Sequence, residues 1–284
     1  MVYPPGEPSP AHRMTPVHLL EKILKTIRHL PLLEKLDPLW HYLAKPYARF
    51  AKTLYPSGVE WQVHEGDRLL LLSQHLPALH YHEGELWKSI MPLASPNSII
   101  ADVGANIGIY TVALANRVGA HGKVFAFEPD PDNFEILKNH VALNRISDRV
   151  ELINAALGER DGSVGFMKGR GSESHVSPTV SEETSHVRCI RLDSVFQGQR
   201  VDLLKIDVEG YEEKVLAGGD SLLRDPIRSP KAIFIEVHPY AWPELGTSSE
   251  SLLSLLASCG YRVFSLSGTS INKIDFYGEI VARR

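Results

Sequence analysis

The sequence predicts an α/β fold in which a mostly parallel sheet is covered by helices on both faces. From Ile99 onward, short apolar runs that suit buried strands alternate with segments of helical periodicity. A glycine-rich turn joins the first of these strands to the first helix, as in doubly wound folds. The 284 residues are enough for one such domain with an N-terminal extension.

Apolar periodicity predicts the individual elements in order. The predicted strands are 98–103, 123–128, 150–154, 201–207, 232–238 and 261–266. The predicted helices are 107–118, 131–144, 211–223 and 249–258. Glycine and serine interrupt this alternation at 158–195, which predicts a mobile segment around short strands on the substrate side.

The first 94 residues are predicted to precede the main domain, which covers 95–284. Closely spaced prolines predict a flexible leader over 1–16. Residues 17–94 predict a helical extension with a short hairpin that turns at Glu65-Gly66-Asp67. Eight basic and four acidic residues lie within 1–54. This excess allows peripheral membrane contact, but packing on the domain or in an oligomer is favoured.

The bulk composition limits the partners of the chain. Thirty basic and 34 acidic residues give a net charge of −4, which does not indicate nucleic acid and suits a small-molecule or glycan partner. Cys189 and Cys259 lie in neither a disulfide framework nor a zinc motif, which predicts a cytoplasmic protein. No transmembrane segment is predicted, because the chain has no apolar run of the length a spanning helix needs.

The most informative motif is the turn that follows the first parallel strand. Gly104 and Gly108 let the backbone approach a ligand closely, and the helix that begins there favours a carboxylate. A dinucleotide-binding turn would have glycine where Asn106 and Ile109 stand. A nicotinamide-dependent oxidoreductase on the same scaffold is therefore the weaker alternative.

Three further polar residues suggest how a nucleoside with an amino-acid group is bound. Asp102 precedes the turn, where it suits a cationic ammonium group and would repel a pyrophosphate. Glu128 ends the second strand, 20 residues after Gly108, where an acid accepts hydrogen bonds from ribose hydroxyls. Asn154 ends the third strand and either hydrogen-bonds an adenine or forms a turn.

The block Leu203 to Glu212, together with Asp102 to Gly108, resembles the FkbM-type S-adenosylmethionine-dependent methyltransferase family. The resemblance covers about 80–240 and implies a class I methyltransferase (Rossmann-like) fold, whose seven-stranded sheet has one antiparallel strand near the C-terminus. It implies S-adenosylmethionine as the cofactor and O-methylation of a sugar, glycolipid or small natural product. The expected cofactor-binding residues are Asp102, Gly104, Asn106, Gly108, Glu128 and Asn154, together with Glu83 and Asp207 from the segments that resemble the family.

Methyl transfer to a hydroxyl requires a group that accepts the proton. Asp207, Glu209 and His238 fall at the carboxyl ends of predicted strands, where ligands of such sheets bind. His238 is the first candidate for the base, because an unperturbed histidine has a pKa of about 6.5. Asp207 is the second. These three residues could instead hold a divalent cation, but the sequence does not favour it and no metal ligand is assigned.

Other features leave alternatives open. Lys205 lies within a strand that should be buried, and equal register of the strands would pair it with Glu236. Tyr240 and Trp242 either stack on a sugar or lipid or pack against the domain. A protein that binds S-adenosylmethionine without turnover is a further alternative to the enzyme.

Overall fold

The computed structural model describes residues 49, 52–64, 67–73, 84–169, 174–176 and 184–284. The predicted leader, most of the predicted N-terminal helix, Glu83 and the hairpin residues 65 and 66 lie outside these ranges. The chain divides into two compact units, of which the smaller comprises 1–59 and 71–80 and the larger 60–70 and 81–284. None of the described helices has the length and apolarity needed to cross a membrane.

The described residues contain thirteen strands. They are β1 (Val59–His64), β2 (Asp67–Leu71), β3 (Ile99–Val103), β4 (Lys123–Phe127), β5 (Val150–Ile153), β6 (Ala156–Leu157), β7 (Gly162–Met167), β8 (His175–Val176), β9 (Thr184–Ile190), β10 (Leu203–Ile206), β11 (Ala232–Val237), β12 (Arg262–Ser265) and β13 (Gly278–Arg283). The strands β1 and β2 form a two-stranded sheet, in agreement with the predicted hairpin.

Eight α-helices and a 3₁₀ turn at Met91–Leu93 have both of their ends among the described residues. The helices are α1 (Gly84–Ile90), α2 (Ile109–Val118), α3 (Pro131–Leu143), α4 (Leu192–Val195), α5 (Glu212–Ala217), α6 (Asp220–Arg224), α7 (Trp242–Leu245) and α8 (Ser249–Ser258). The single helix predicted at 211–223 is therefore two helices. They separate at Gly218, where a Cβ atom would lie 2.0 Å from the carbonyl oxygen of Gly158.

The central sheet has the strand order β12-β13-β11-β10-β3-β4-β5. The strands from β11 to β5 are parallel to their neighbours, whereas β13 is antiparallel to both β11 and β12. This confirms the predicted seven-stranded sheet with one antiparallel strand near the C-terminus. All residues of β10 and β11 are buried, as expected for strands covered on both faces.

The interval predicted to be mobile contributes most of a second sheet, with strand order β6-β9-β7-β8. Its strand β7 pairs with β9 in antiparallel register from Gly162 to Met167. Phe166 and Val176 form a small core of their own with Ala156. In the described part of this interval, Gly162, Ser163, Gly165 and Ser185 lie on the paired strands β7 and β9. The predicted short strands are therefore present, and the predicted mobility of the interval stays a prediction.

Two helices begin where the central sheet meets the predicted cofactor site. Asp130 caps α3, because its side chain accepts hydrogen bonds from the amides of Asp132 and Asn133 while Pro131 occupies the first turn. Helix α2 begins after Gly108, whose left-handed backbone offers no side-chain cap. The first turn of α2 therefore has amide groups that no capping side chain satisfies.

Candidate active site

Lys205 lies at the centre of the charged groups beneath the site. Its Nζ atom is 3.3 Å from Oδ2 of Asp207 and 3.7 Å from Oδ1 of Asp102. Burial opposes the charge of this lysine, but the two carboxylates outweigh burial and raise the pKa of Lys205 above its usual range. The charge of this buried lysine is thus stabilised by Asp102 on the neighbouring strand β3 and by Asp207 two residues further along the chain.

The predicted ion pair between Lys205 and Glu236 is wrong. In the observed register Lys205 lies opposite Phe234 on β11, because the two strands are offset by two residues from the expected alignment. Among the described residues, the ion pairs of Lys205 are those with Asp102 and Asp207. Glu236 instead accepts a hydrogen bond from Tyr277.

Asp102 is fully buried below the glycine-rich turn. Its Oδ2 atom accepts a hydrogen bond from Thr111, at 2.6 Å, while Oδ1 has no hydrogen-bond partner among the described residues. Burial raises the pKa of Asp102, although Lys205 opposes this effect. One oxygen of the predicted ammonium-binding residue therefore remains able to accept a hydrogen bond.

The two glycines of the turn make room for protein atoms. A Cβ atom on Gly104 would lie 1.7 Å from the carbonyl oxygen of Asp207, and one on Gly108 would lie 2.4 Å from Leu137. Both residues have positive φ angles, 77° and 91°. The sequence predicts that these glycines let a ligand approach, whereas the structure shows that they first allow the end of β10 and α3 to pack against the turn.

Glu128, which follows β4, links the end of that strand to the glycine-rich turn. Its two carboxylate oxygens accept hydrogen bonds from the amides of Asn106, at 2.7 Å, and Asp130, at 2.8 Å. Burial raises the pKa of Glu128 to about 7, with those amides opposing it. A carboxylate has about four lone-pair sites, so Glu128 can still accept from two hydroxyls. The Asn154 amide donates to the backbone oxygens of Glu128 and Pro129.

The predicted catalytic residues come together at the carboxyl ends of β10 and β11. One ligand atom from each of Asp207, Glu209 and His238 lies within 4.8 Å of the others. Nε2 of His238 is 3.4 Å from Oε2 of Glu209, which also accepts a hydrogen bond from Tyr240 at 2.9 Å. Burial raises the pKa of Glu209, which makes it a stronger base than an exposed glutamate.

Glu212 orients this histidine and was not identified as functional from the sequence. It is fully buried in the first turn of α5. Its Oε1 atom lies 2.7 Å from Nδ1 of His238 and 2.9 Å from the amide of Gly210. Its Oε2 atom accepts a hydrogen bond from Trp242 at 2.9 Å. The available signal was an acidic residue at the end of the block Leu203 to Glu212. Its partner His238 lies too far along the chain to be predicted from that signal.

The contact with Glu212 changes the expected chemistry of His238. Burial opposes protonation of the ring, but the hydrogen bond and charge of Glu212, followed by the charge of Glu209, raise the pKa of His238 to about 9. The ring is therefore protonated at neutral pH. His238 was the first candidate for the base because an ordinary histidine has a pKa of about 6.5, and that value does not apply to this ring. A carboxylate is therefore the better candidate for the base.

Two tyrosines form the exposed edge of the cluster. Tyr240 is 69% exposed and Tyr277 is 60% exposed, and their ring centroids are 6.4 Å apart. The ring of Tyr277 is also 5.2 Å from that of His238. Trp242, which could have joined them, is buried in the core with its N–H bound to Glu212. Tyr277 was not predicted, because it precedes β13, a strand not located from the sequence.

Comparison with known proteins identifies the family. Residues 102–263, more than half of the chain, match the methyltransferase FkbM domain. The chain belongs to the FkbM methyltransferase family. This membership makes a methyltransferase the supported function, and the oxidoreductase alternative loses its support.

Individual relatives are identical to this chain at about a quarter of the aligned positions. The hexuronic acid methyltransferase AglP of Haloferax volcanii is 25% identical over 177 residues, which cover 61% of this chain and 70% of AglP. The 2-O-methyltransferase NoeI of Sinorhizobium fredii is 24% identical over 152 residues, covering 46% of this chain and 61% of NoeI. The crystal structure of an FkbM methyltransferase from Methylobacillus flagellatus superposes with a TM-score of 0.44 at 18% identity, covering 66% of this chain and 44% of that one.

Proposed function

We propose that this methyltransferase transfers the methyl group of S-adenosylmethionine to a hydroxyl of a sugar, a glycolipid or a small natural product. The observation that carries the proposal is the convergence of polar residues at the carboxyl ends of β3, β4, β10 and β11, where ligands of parallel sheets bind. The names of two relatives, a hexuronic acid methyltransferase and a 2-O-methyltransferase, support a sugar hydroxyl as the acceptor.

The donor would occupy the ends of β3 and β4. Glu128 has free lone pairs for the ribose hydroxyls, and the uncapped first turn of α2 suits the methionine carboxylate. Oδ1 of Asp102, which is ion-paired with Lys205 but accepts no hydrogen bond among the described residues, suits the ammonium group of the same amino acid. These features fit a zwitterionic nucleoside. When bound, the donor supplies an electrophilic methyl group on a cationic sulfur.

Two further predicted donor contacts lie beside Glu128. The backbone amide of Asn106 donates to the Glu128 carboxyl group, and the side chain of Asn154 donates to the Glu128 backbone oxygen. The backbone of Asp207 packs on Gly104. This contact brings the glycine-rich turn next to the acid–histidine cluster, which consists of Asp207, Glu209 and His238. Glu83 lies outside the described residues, so its role stays a prediction.

The acceptor would lie on the side of β10 and β11. Its hydroxyl oxygen forms a bond to the methyl carbon while the bond from that carbon to sulfur breaks, which gives a methyl ether and S-adenosylhomocysteine. The hydroxyl proton passes to a carboxylate, because His238 is protonated at neutral pH. We rank Asp207 first, since its side chain is about one-third exposed and can reach an acceptor from solvent.

A single-turnover assay with labelled methyl donor tests this proposal. The protein is incubated with candidate hexuronic acids, other glycans and small alcohols, and products are identified by the gain of one methylene in mass. Asp207→Asn should slow transfer by roughly 10²–10⁴-fold. Glu244→Gln, which removes one exposed carboxylate, should leave the rate unchanged.

Two results would contradict the proposal. Methylation of nitrogen or carbon would overturn the hydroxyl acceptor. Equal transfer rates in Asp207→Asn and the unaltered protein would overturn the role of Asp207 as the base.

A further inference from the structure

Two features of the acid–histidine cluster, formed by Asp207, Glu209 and His238, are not explained by binding of the methyl donor and the acceptor alone. Nε2 of His238 is buried, and it makes no hydrogen bond to any described residue. The same atom lies 3.4 Å from Oε2 of Glu209 and 3.9 Å from Oε1 of Glu236. A buried ring nitrogen directed at carboxylates without a hydrogen bond is costly unless another group satisfies it.

We infer that Asp207, Glu209 and His238 form a binding site for a divalent cation. Two carboxylates and one imidazole are a ligand set suited to manganese or zinc. The cation would displace the proton that Nε2 of His238 otherwise carries, because a histidine binds metal through a deprotonated ring nitrogen. Ligand atoms bonded at about 2.1 Å lie roughly 3–4 Å apart around such a cation. The three atoms here are already within 4.8 Å of one another, so a small inward movement completes the geometry.

Glu212 has the position of a residue that supports a metal ligand. It accepts the hydrogen bond of Nδ1 of His238, at 2.7 Å, and so leaves Nε2 as the ring nitrogen that faces the cluster. Metal-binding histidines usually donate their second ring N–H to a carboxylate in this way, which fixes the orientation of the ring. The backbone amide of Gly210 and the indole of Trp242 in turn fix Glu212.

The local charge also favours a cation. Ion pairs within 4 Å join the two basic side chains Lys205 and His238 to five carboxyl groups. The excess of acids would be neutralised by a divalent ion. Lys205 contacts Oδ2 of Asp207, which leaves the Oδ1 atom of that carboxylate for the metal.

A cation here would leave coordination positions open toward the exposed tyrosines. If the proposed function holds, the acceptor hydroxyl would occupy one of these positions, and the metal would make that hydroxyl more acidic. Asp207 would then hold the cation, and the hydroxyl proton would leave to solvent. Binding of the cation itself does not depend on the proposed function.

Manganese binding to the full-length protein tests the inference. The protein is treated with EDTA, dialysed and titrated with Mn²⁺, and free Mn²⁺ is measured by electron paramagnetic resonance. We expect one saturable site per chain. Glu209→Gln and Asp207→Asn should each weaken it roughly tenfold or more, since each removes a charged ligand. Glu244→Gln should bind Mn²⁺ as the unaltered protein does.

Circular dichroism reports whether each variant is folded, and titration of the same samples with S-adenosylhomocysteine tests the donor site separately. No saturable Mn²⁺ binding up to about 1 mM would overturn the cation site. Equal Mn²⁺ affinity in Glu209→Gln, Asp207→Asn and the unaltered protein would also overturn it. Mn²⁺ binding without affinity for S-adenosylhomocysteine would support the cation site and contradict the donor proposal.

Discussion

The donor and acceptor sides of the proposed active site are built differently. On the donor side, the backbone forms most of the site: Gly104 packs on the backbone of Asp207, and Glu128 accepts two backbone hydrogen bonds. On the acceptor side, side chains carry the contacts, and Nε2 of His238 lacks a hydrogen bond within the described part of the chain. Asp102 is the exception on the donor side, because one of its oxygens accepts no hydrogen bond from the described residues.

This difference suggests how the two sides respond to ligands. A turn held by backbone hydrogen bonds has its shape before a ligand arrives, so little ordering is needed on binding. A cluster of side chains with unsatisfied atoms is completed by a ligand and can be varied without changing the fold. The four predictions below test this contrast in order of decreasing effect.

The largest effect should come from the turn. Gly104→Ala should destabilise the protein by at least about 4 kcal/mol, because the new Cβ atom would overlap the carbonyl oxygen of Asp207, 1.7 Å away. Gly246→Ala is the control: its backbone is also left-handed, but no atom lies within 4 Å of the added Cβ. That change should cost only about 1–2 kcal/mol. Urea unfolding measures both, and similar losses would show that Gly104 is not held by close packing.

A smaller loss of stability should follow from removing the support of His238. Glu212→Ala leaves the buried donors of His238, Trp242 and Gly210 without an acceptor, and should cost about 3 kcal/mol or more. Glu213→Ala, at the next position of α5, should cost about 1 kcal/mol, since Glu213 is only partly buried. Equal midpoints in thermal unfolding would contradict the structural role of Glu212.

The third effect is a pH dependence of donor binding. The pKa of Glu128 is raised to about 7, and ribose hydroxyls would donate to its ionised form. Affinity for S-adenosylhomocysteine should therefore be full above about pH 7 and fall about tenfold for each unit below it. Calorimetry at pH 6 and pH 8 measures this change. Glu128→Gln should bind more weakly, with no such dependence, and a persistent dependence would assign it to another group.

The smallest effect should be confined to the acceptor. Tyr240→Ala should raise the KM for a sugar acceptor by roughly fivefold, because stacking on an exposed aromatic ring contributes about 1 kcal/mol. Affinity for S-adenosylhomocysteine should not change. Ile227→Ala, which alters an exposed apolar residue, is the control. A loss of donor affinity in Tyr240→Ala would contradict the division into two sides.

Much of the fold could be predicted because its strands are buried on both faces. The apolar runs of β3, β4, β10 and β11 agree with the prediction to within two residues at each end. β13 was missed, since the glycine and charged residues at its ends weaken the apolar signal that a buried strand gives. Short strands were predicted in the interval 158–195, but their pairing into a four-stranded sheet was not, because glycine and serine usually indicate loops.

The sequence predicted the positions of site residues that directly follow a strand. It did not predict contacts that depend on the register between strands or on residues far apart in the chain. Asp207, Glu209 and His238 were expected together because parallel strands end at one edge. The predicted ion pair of Lys205 with Glu236 was wrong, because neither strand alone reveals that the two strands are offset by two residues. Glu212 and Tyr277 were missed because their partners lie 26 and 41 residues away in the chain.

Binding of S-adenosylhomocysteine to the unaltered protein tests the central claim most directly. Isothermal titration calorimetry at pH 8, where Glu128 is ionised, should give one site per chain, and NAD should neither bind nor compete. Folded protein that shows no affinity for S-adenosylhomocysteine, or that prefers NAD, would contradict the assignment of the β3 and β4 ends as the methyl-donor site.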